Sequence, residues 1–130
     1  MREIKFRAWD LKTKKMHTAE NINFCGRKTV TVQYNPVKKI CLDSAILMQY
    51  TGVKDKNGVE IYEGDIIRGH TGRYQVDCVV RWSMGNCGFI AEPTIMERTY
   101  LCLNPGSTKS YEVIGNIYEN PELVSNETDT

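Results

Sequence analysis

Nowhere do the 130 residues approach an unbroken run of about 20 apolar side chains, the length that spans a bilayer. No membrane segment or membrane partner is expected. The start, Met1 to Arg7, interleaves charges with apolar residues and lacks the continuous apolar core of a secretory signal. Histidine occurs only as His17 and His70, far apart and without a second ligand at metal-binding spacing, so both are expected in exposed turns. The five cysteines, Cys25, Cys41, Cys78, Cys87 and Cys102, include no C-x-x-C pair. Zinc ribbons and redox dithiols need close pairs, so free thiols in a reducing cytoplasm are expected. Cys78 alternates in phase with Val76 and Val80 and reads as a small core hydrophobe. No phosphate-binding glycine loop is present, because Gly69-His70-Thr71-Gly72 lacks both the lysine and a following helix.

What the sequence does contain is period-two alternation. At 41% apolar and 25% charged residues the composition is that of an ordinary globular chain, and its length fits a single compact domain, 1–130. Residues 4–8, 16–22 and 29–34 alternate as strands, the last stopped by Asn35-Pro36. Residues 43–50 are the one plausible short helix, capped by Asp43 or Ser44, although a buried strand fits nearly as well. Asn57-Gly58 marks a tight turn. From residue 61 onward short strands are expected over 65–68, 74–82, 87–91, 98–103 and 111–117, with a turn at Gly69–Gly72. The fold expected is therefore mostly β: an N-terminal antiparallel β segment over 1–52, a five-stranded SH3-like barrel over 61–124, and a frayed tail at 125–130. No internal repeat is evident.

Charge is unevenly laid out. Through Leu42 there are ten basic and three acidic residues, a net of +7; from Asp43 onward there are seven basic and thirteen acidic, a net of −6. Halves of opposite sign suit either a polyanion partner or complementary self-association. The candidate contact residues are Lys12, Lys14, Lys15, Arg27, Lys28, Lys38 and Lys39. Homo-oligomerisation is the preferred expectation, with a host protein as the other protein partner. Nucleic acid is the alternative, suggested by Phe6, Trp9, Phe24 and Tyr34 interleaved among the cations. Against it, strand aromatics tend to face the core and lysines commonly blunt sheet edges.

Catalytic readings find less support. Aligning Gly58 with the sixth position of a calcium loop puts Val53 and Gly64 where carboxylates are required. Cys87 or Ser83 with His70 and Asp65 would need a hydrogen-bonded geometry that nothing in the sequence signals. Neither an enzyme nor a cofactor is expected.

Three stretches carry a resemblance: Arg2-Glu3-Ile4-Lys5-Phe6-Arg7-Ala8-Trp9-Asp10; the segment from Met48 through Tyr50-Thr51-Gly52, Asp55-Lys56-Asn57-Gly58 and Glu60-Ile61-Tyr62-Glu63-Gly64-Asp65-Ile66; and Val113-Ile114-Gly115-Asn116-Ile117-Tyr118-Glu119-Asn120-Pro121-Glu122-Leu123. In that order they resemble the YopX family of bacteriophage and prophage proteins. The resemblance implies a compact, mostly β accessory protein in the cytoplasm of a bacterial host, and it supplies no catalytic residues. Residues 23–41 and 83–99 lie outside the resemblance, so specialised contacts are expected there.

Overall fold

The computed structural model describes residues 3–33, 38–71, 74–94 and 100–125. It divides into two compact units, Met1–Tyr50 and Thr51–Thr130. Antiparallel strands dominate both, as the alternation requires.

In the first unit β1 (Phe6–Asp10), β2 (Lys15–Asn23), β3 (Thr29–Val32) and β4 (Lys38–Cys41) pair in sequence. A 3-10 turn at Leu42–Ser44 follows, and β5 (Ala45–Lys54) returns to pair with β1, Asp10 opposite Ala45 and Phe6 opposite Gln49. The sheet runs β4-β3-β2-β1-β5, with β6 (Glu60–Tyr62) next to β5. Its inner face buries Ala8, Val30, Val32 and Ile40 with Ala19, Ile22 and Leu47 against them.

That strand order forces curvature. In a flat sheet, four inter-strand steps would hold β4 about 19 Å from β5. The link from Cys41 to Ala45 is a 3-10 turn, which advances only about 8 Å. The sheet must therefore curl until its ends approach. A side-chain bond across the curl agrees: the Lys38 ammonium of β4 lies 3.3 Å from the Asp10 carboxylate of β1, although β2 and β3 stand between those strands in the sheet.

The helix expected over residues 43–50 is instead this 3-10 turn and the first half of β5. Leu47 packs into the inner core while Met48 and Tyr50, on the opposite face, are also buried. A strand covered on both faces presents an unbroken apolar run, which does not alternate.

The second unit contains β7 (Asp65–Thr71), β8 (Tyr74–Ser83), β9 (Gly88–Pro93), β10 (Leu101–Cys102), a 3-10 turn at Ser107–Ser110, β11 (Glu112–Asn116) and one short helix, α1 (Glu122–Ser125). The sheet order is β10-β9-β8-β7-β11. Ile67, Val76, Cys78, Val80 and Ala91 share one face and form the core with Ile61. Burial, then the neighbouring Asp77 charge, push the Cys78 thiol up to about 11, as befits an inert core side chain. All five cysteines are free thiols.

Five strands are found where a barrel was expected, but the sheet is not closed. β10 pairs only two residues with β9, and β10 and β11 stand at opposite ends. The turn expected at Gly69–Gly72 is also displaced: β7 continues through Thr71. Gly69 pairs with Val76 inside the strand, and a Cβ there would meet the Tyr111 ring at 2.5 Å. The glycine thus makes room for an aromatic ring and does not turn the chain. The end of β3 at Asn35-Pro36, Gly72, Arg98 and the tail from 126 lie outside the described residues.

The two units repeat one plan. In each, the strands lie in the order fourth, third, second, first, fifth, with a 3-10 turn between fourth and fifth. The residue after the fourth strand binds back to the third-strand side in both: Leu42 N–H to Lys28 O at 3.1 Å, and Leu103 N–H to Phe89 O at 3.2 Å. Only Ile40-Cys41-Leu42-Asp43 against Leu101-Cys102-Leu103-Asn104 hints at this in the sequence.

Candidate functional site

The stretches that carry the family resemblance are committed to building the fold. Each places a buried carboxylate or amide in a turn, where it accepts backbone N–H groups that would otherwise lack partners. Asp10 accepts from Lys12 N–H at 2.9 Å and from Thr13 N–H at 3.4 Å, besides Lys38. Burial raises the Asp10 pKa, but the Lys12 N–H, Thr13 and the Lys38 ammonium outweigh it and hold the carboxyl below its usual range. Asp55 accepts from Asn57 and Val59 N–H through Oδ1, and from Val113 N–H through Oδ2. Asp65 accepts from Tyr62 N–H at 2.7 Å. Asn116 accepts from Tyr118 and Glu119 N–H, while Asn120 accepts from Asn116 N–H in a space that a Cβ on Gly115 would invade. The second and third stretches are joined, since Gly64 O accepts from Ile117 N–H at 2.9 Å and Asp55 holds Val113.

The residues considered for catalysis do not converge. His70 lies opposite Gln75, eight residues along β8 from Ser83, about 26 Å in an extended strand. Asp65 is held by its own turn, and Ser83 accepts from Asn86 N–H. Cys87 is exposed in the β8–β9 turn. His17, expected in an exposed turn, is buried in β2 opposite Ala8. Among the described residues no three of His, Cys, Asp and Glu form a group that could hold a metal ion. No helix there is long and apolar enough to cross a membrane.

The basic candidates fall into a pattern that spacing alone conceals. Lys12 and Lys14 occupy the β1–β2 turn, with Lys15 opening β2; Arg27 and Lys28 sit in the β2–β3 loop. Those loops lie at opposite ends of the nine-residue β2, about 27 Å apart along an extended strand. The curl brings them together. Leu42 N–H binds Lys28 O at 3.1 Å, and Leu11 N–H binds Ser44 O at 3.0 Å, so both loops dock on one three-residue turn. A concavity of about 320 Å³ there is lined by Gly26, Arg27, Lys28, Cys41 and Asp43. In β4 the alternation separates the two lysines: Lys38 points inward to Asp10, while Lys39, opposite Thr31, faces outward among Asn21, Asn23 and Thr29.

Charge pairing differs between the units. In the second, Arg68 holds Asp77 through two bonds of 2.8 and 3.1 Å, Arg81 pairs with Glu92, and Lys56 with Glu112 at 3.5 Å. In the first, among the described residues, Lys12, Lys14, Lys15, Arg27, Lys28 and Lys39 have no ion-pair partner. A second surface lies at the β8–β9 turn, where Trp82, Met84 and Tyr100 are exposed and Trp82 meets Phe89 edge-to-face at 5.1 Å.

Comparison with known proteins covers nearly the whole chain. It is similar to protein EF1440 from Enterococcus faecalis, a crystal structure, at 26% identity, covering 96% of this chain and 100% of that one with a TM-score of 0.67. No curated protein matches. The model of the family described as YopX protein matches residues 5–125, from the start of the first sheet to the end of α1, and the chain belongs to that family.

Proposed function

We propose that the chain is a polyanion-binding protein, with nucleic acid as its ligand and the cationic loops around Leu42–Ser44 as its contact surface. One observation carries this reading: six cations of the first unit have no ion-pair partner among the described residues, against two, Lys54 and Lys109, in the second, where Arg68, Arg81 and Lys56 are paired. Cations without a protein partner are available to neutralise phosphates and release their counterions. In this reading the second unit is an SH3-like module with an open sheet, the first unit presents the contact loops, and the protein is a phage accessory factor at work in the bacterial cytoplasm. Titration with DNA at low salt should show binding that weakens steeply as salt rises. Replacing Lys12, Lys14, Arg27 and Lys28 together by glutamine should lower the log-log salt slope by about 3, because each phosphate neutralised by a cation contributes roughly 0.7 to 0.9. No binding at low salt, or an unchanged slope, would refute the assignment.

A second reading, self-association or capture of a host protein, rests on the exposed Trp82, Met84 and Tyr100. Under it, light scattering shows a dimer or larger species of the 14.9 kDa chain, and Met84→Glu converts that species to monomer. A monomer at every concentration removes the self-association branch.

A further inference from the structure

We infer that the polyanion is single-stranded nucleic acid, with Phe24 as the platform on which an unstacked base rests; this deepens the polyanion reading above and depends on it. Of the aromatics interleaved with the cations, Trp9 is buried, Phe6 is half-buried, and Tyr34 lies outside the described residues. Phe24 alone among the described ones stands out, 64% exposed. Its setting is ordered by local chemistry. The Asn23 side chain accepts Cys25 N–H at 2.9 Å, and Gly26 at φ +61° turns the chain so that Arg27 and Lys28 follow directly. Phe24 therefore sits between two cations and a groove of about 340 Å³ whose walls include Ile4, Phe6, Ile22 and Asn21. The groove is roomy enough for a nucleobase, its walls mix Ile4, Phe6, Ala19 and Ile22 with Lys5, Glu20 and Asn21, and the Asn21 amide can both donate to and accept from a base edge. Phosphates on either side of a stacked base would meet Arg27 and Lys28, with Asp43 the acidic member of that rim. Within a duplex, base faces are covered by their neighbours, so this arrangement discriminates for unpaired strands.

The test compares three probes on the full chain at low salt: a labelled oligothymidylate, a duplex of equal length, and inorganic polyphosphate. The single strand should bind more tightly than the duplex. Phe24→Ala should weaken oligothymidylate binding by roughly 5- to 150-fold, the loss of one base–aromatic stack, and leave polyphosphate affinity unchanged. Phe24→Tyr should restore single-strand affinity. Because the side chain is exposed, far-UV circular dichroism and thermal midpoint should match the parent for both variants. Equal affinity for duplex and single strand overturns the inference, and so does a Phe24→Ala effect that is absent or equal for oligothymidylate and polyphosphate. If polyphosphate and DNA both bind without regard to Phe24, the polyanion reading stands without the stacking platform; if no probe binds, both fall.

Discussion

Asp55→Ala is expected to destabilise the protein by about 4 kcal/mol, lowering the thermal midpoint by roughly 15 °C. The carboxylate is buried and accepts three backbone N–H groups, those of Asn57, Val59 and Val113. Alanine leaves all three donors without their acceptor, and hydrogen bonds to a charged group contribute about 1.5–3 kcal/mol each, with the exposed Asn57 and Val59 at the lower end. The isosteric Asp55→Asn separates two causes. One amide oxygen can replace Oδ1 in the turn or Oδ2 at Val113, but not both, and the amide N–H₂ then faces another donor. Asp55→Asn should therefore lose about 2–3 kcal/mol in spite of its matching shape. Chemical denaturation of the parent and both variants measures this. An Asp55→Ala midpoint indistinguishable from the parent would show that the turn and β11 are held by something else.

Gly69→Ala carries the next largest effect. The added methyl would meet the Tyr111 ring at 2.5 Å, and that ring packs against the core of the second unit. Overpacking of this kind costs about 2–3 kcal/mol. The cause can be isolated with a double-mutant cycle. Once Tyr111→Ala has removed the ring, adding Gly69→Ala should cost less than about 0.5 kcal/mol, a coupling energy of about 2 kcal/mol. Additive losses would mean that the glycine is required for its backbone and not for the space it leaves.

Much of the architecture is readable from single residues. The alternation around Ala8, Val30 and Val80 marks strands in which those three residues are buried, although Ile4 and Trp82 in the same phases are exposed and Trp9 in the opposite phase is buried, and Gly58, at φ +82°, closes the turn that Asn57-Gly58 announces. Cys78 is the core thiol its phase suggests. Sequence reasoning fails where burial or packing partners decide. Ala45 to Tyr50 hides both faces, so alternation vanishes and a helix competes with a strand on paper. Gly69 resembles a turn residue because the ring that needs its missing Cβ is 42 positions away at Tyr111. The cationic site is visible in the sequence as a set of residues but not as a place. The loops that carry Lys12 and Lys28 dock on one turn only through the curl that the short Leu42–Ser44 link imposes, and no local pattern encodes strand order. Separating Lys38 from Lys39 likewise requires knowing that Asp10 lies across the sheet.

The shared strand order has a consequence for how each half is closed. In each unit every pairing but one joins neighbours in the chain; the exception ties first strand to last, Asp10 to Ala45 in one and Arg68 to Glu112 in the other. Ring-closure entropy rises only logarithmically with the length enclosed, so the two exceptions differ by about 0.2 kcal/mol. Connectivity thus favours neither half, and any inequality in their resistance to unfolding must originate in side chains such as Asp55 and Tyr111.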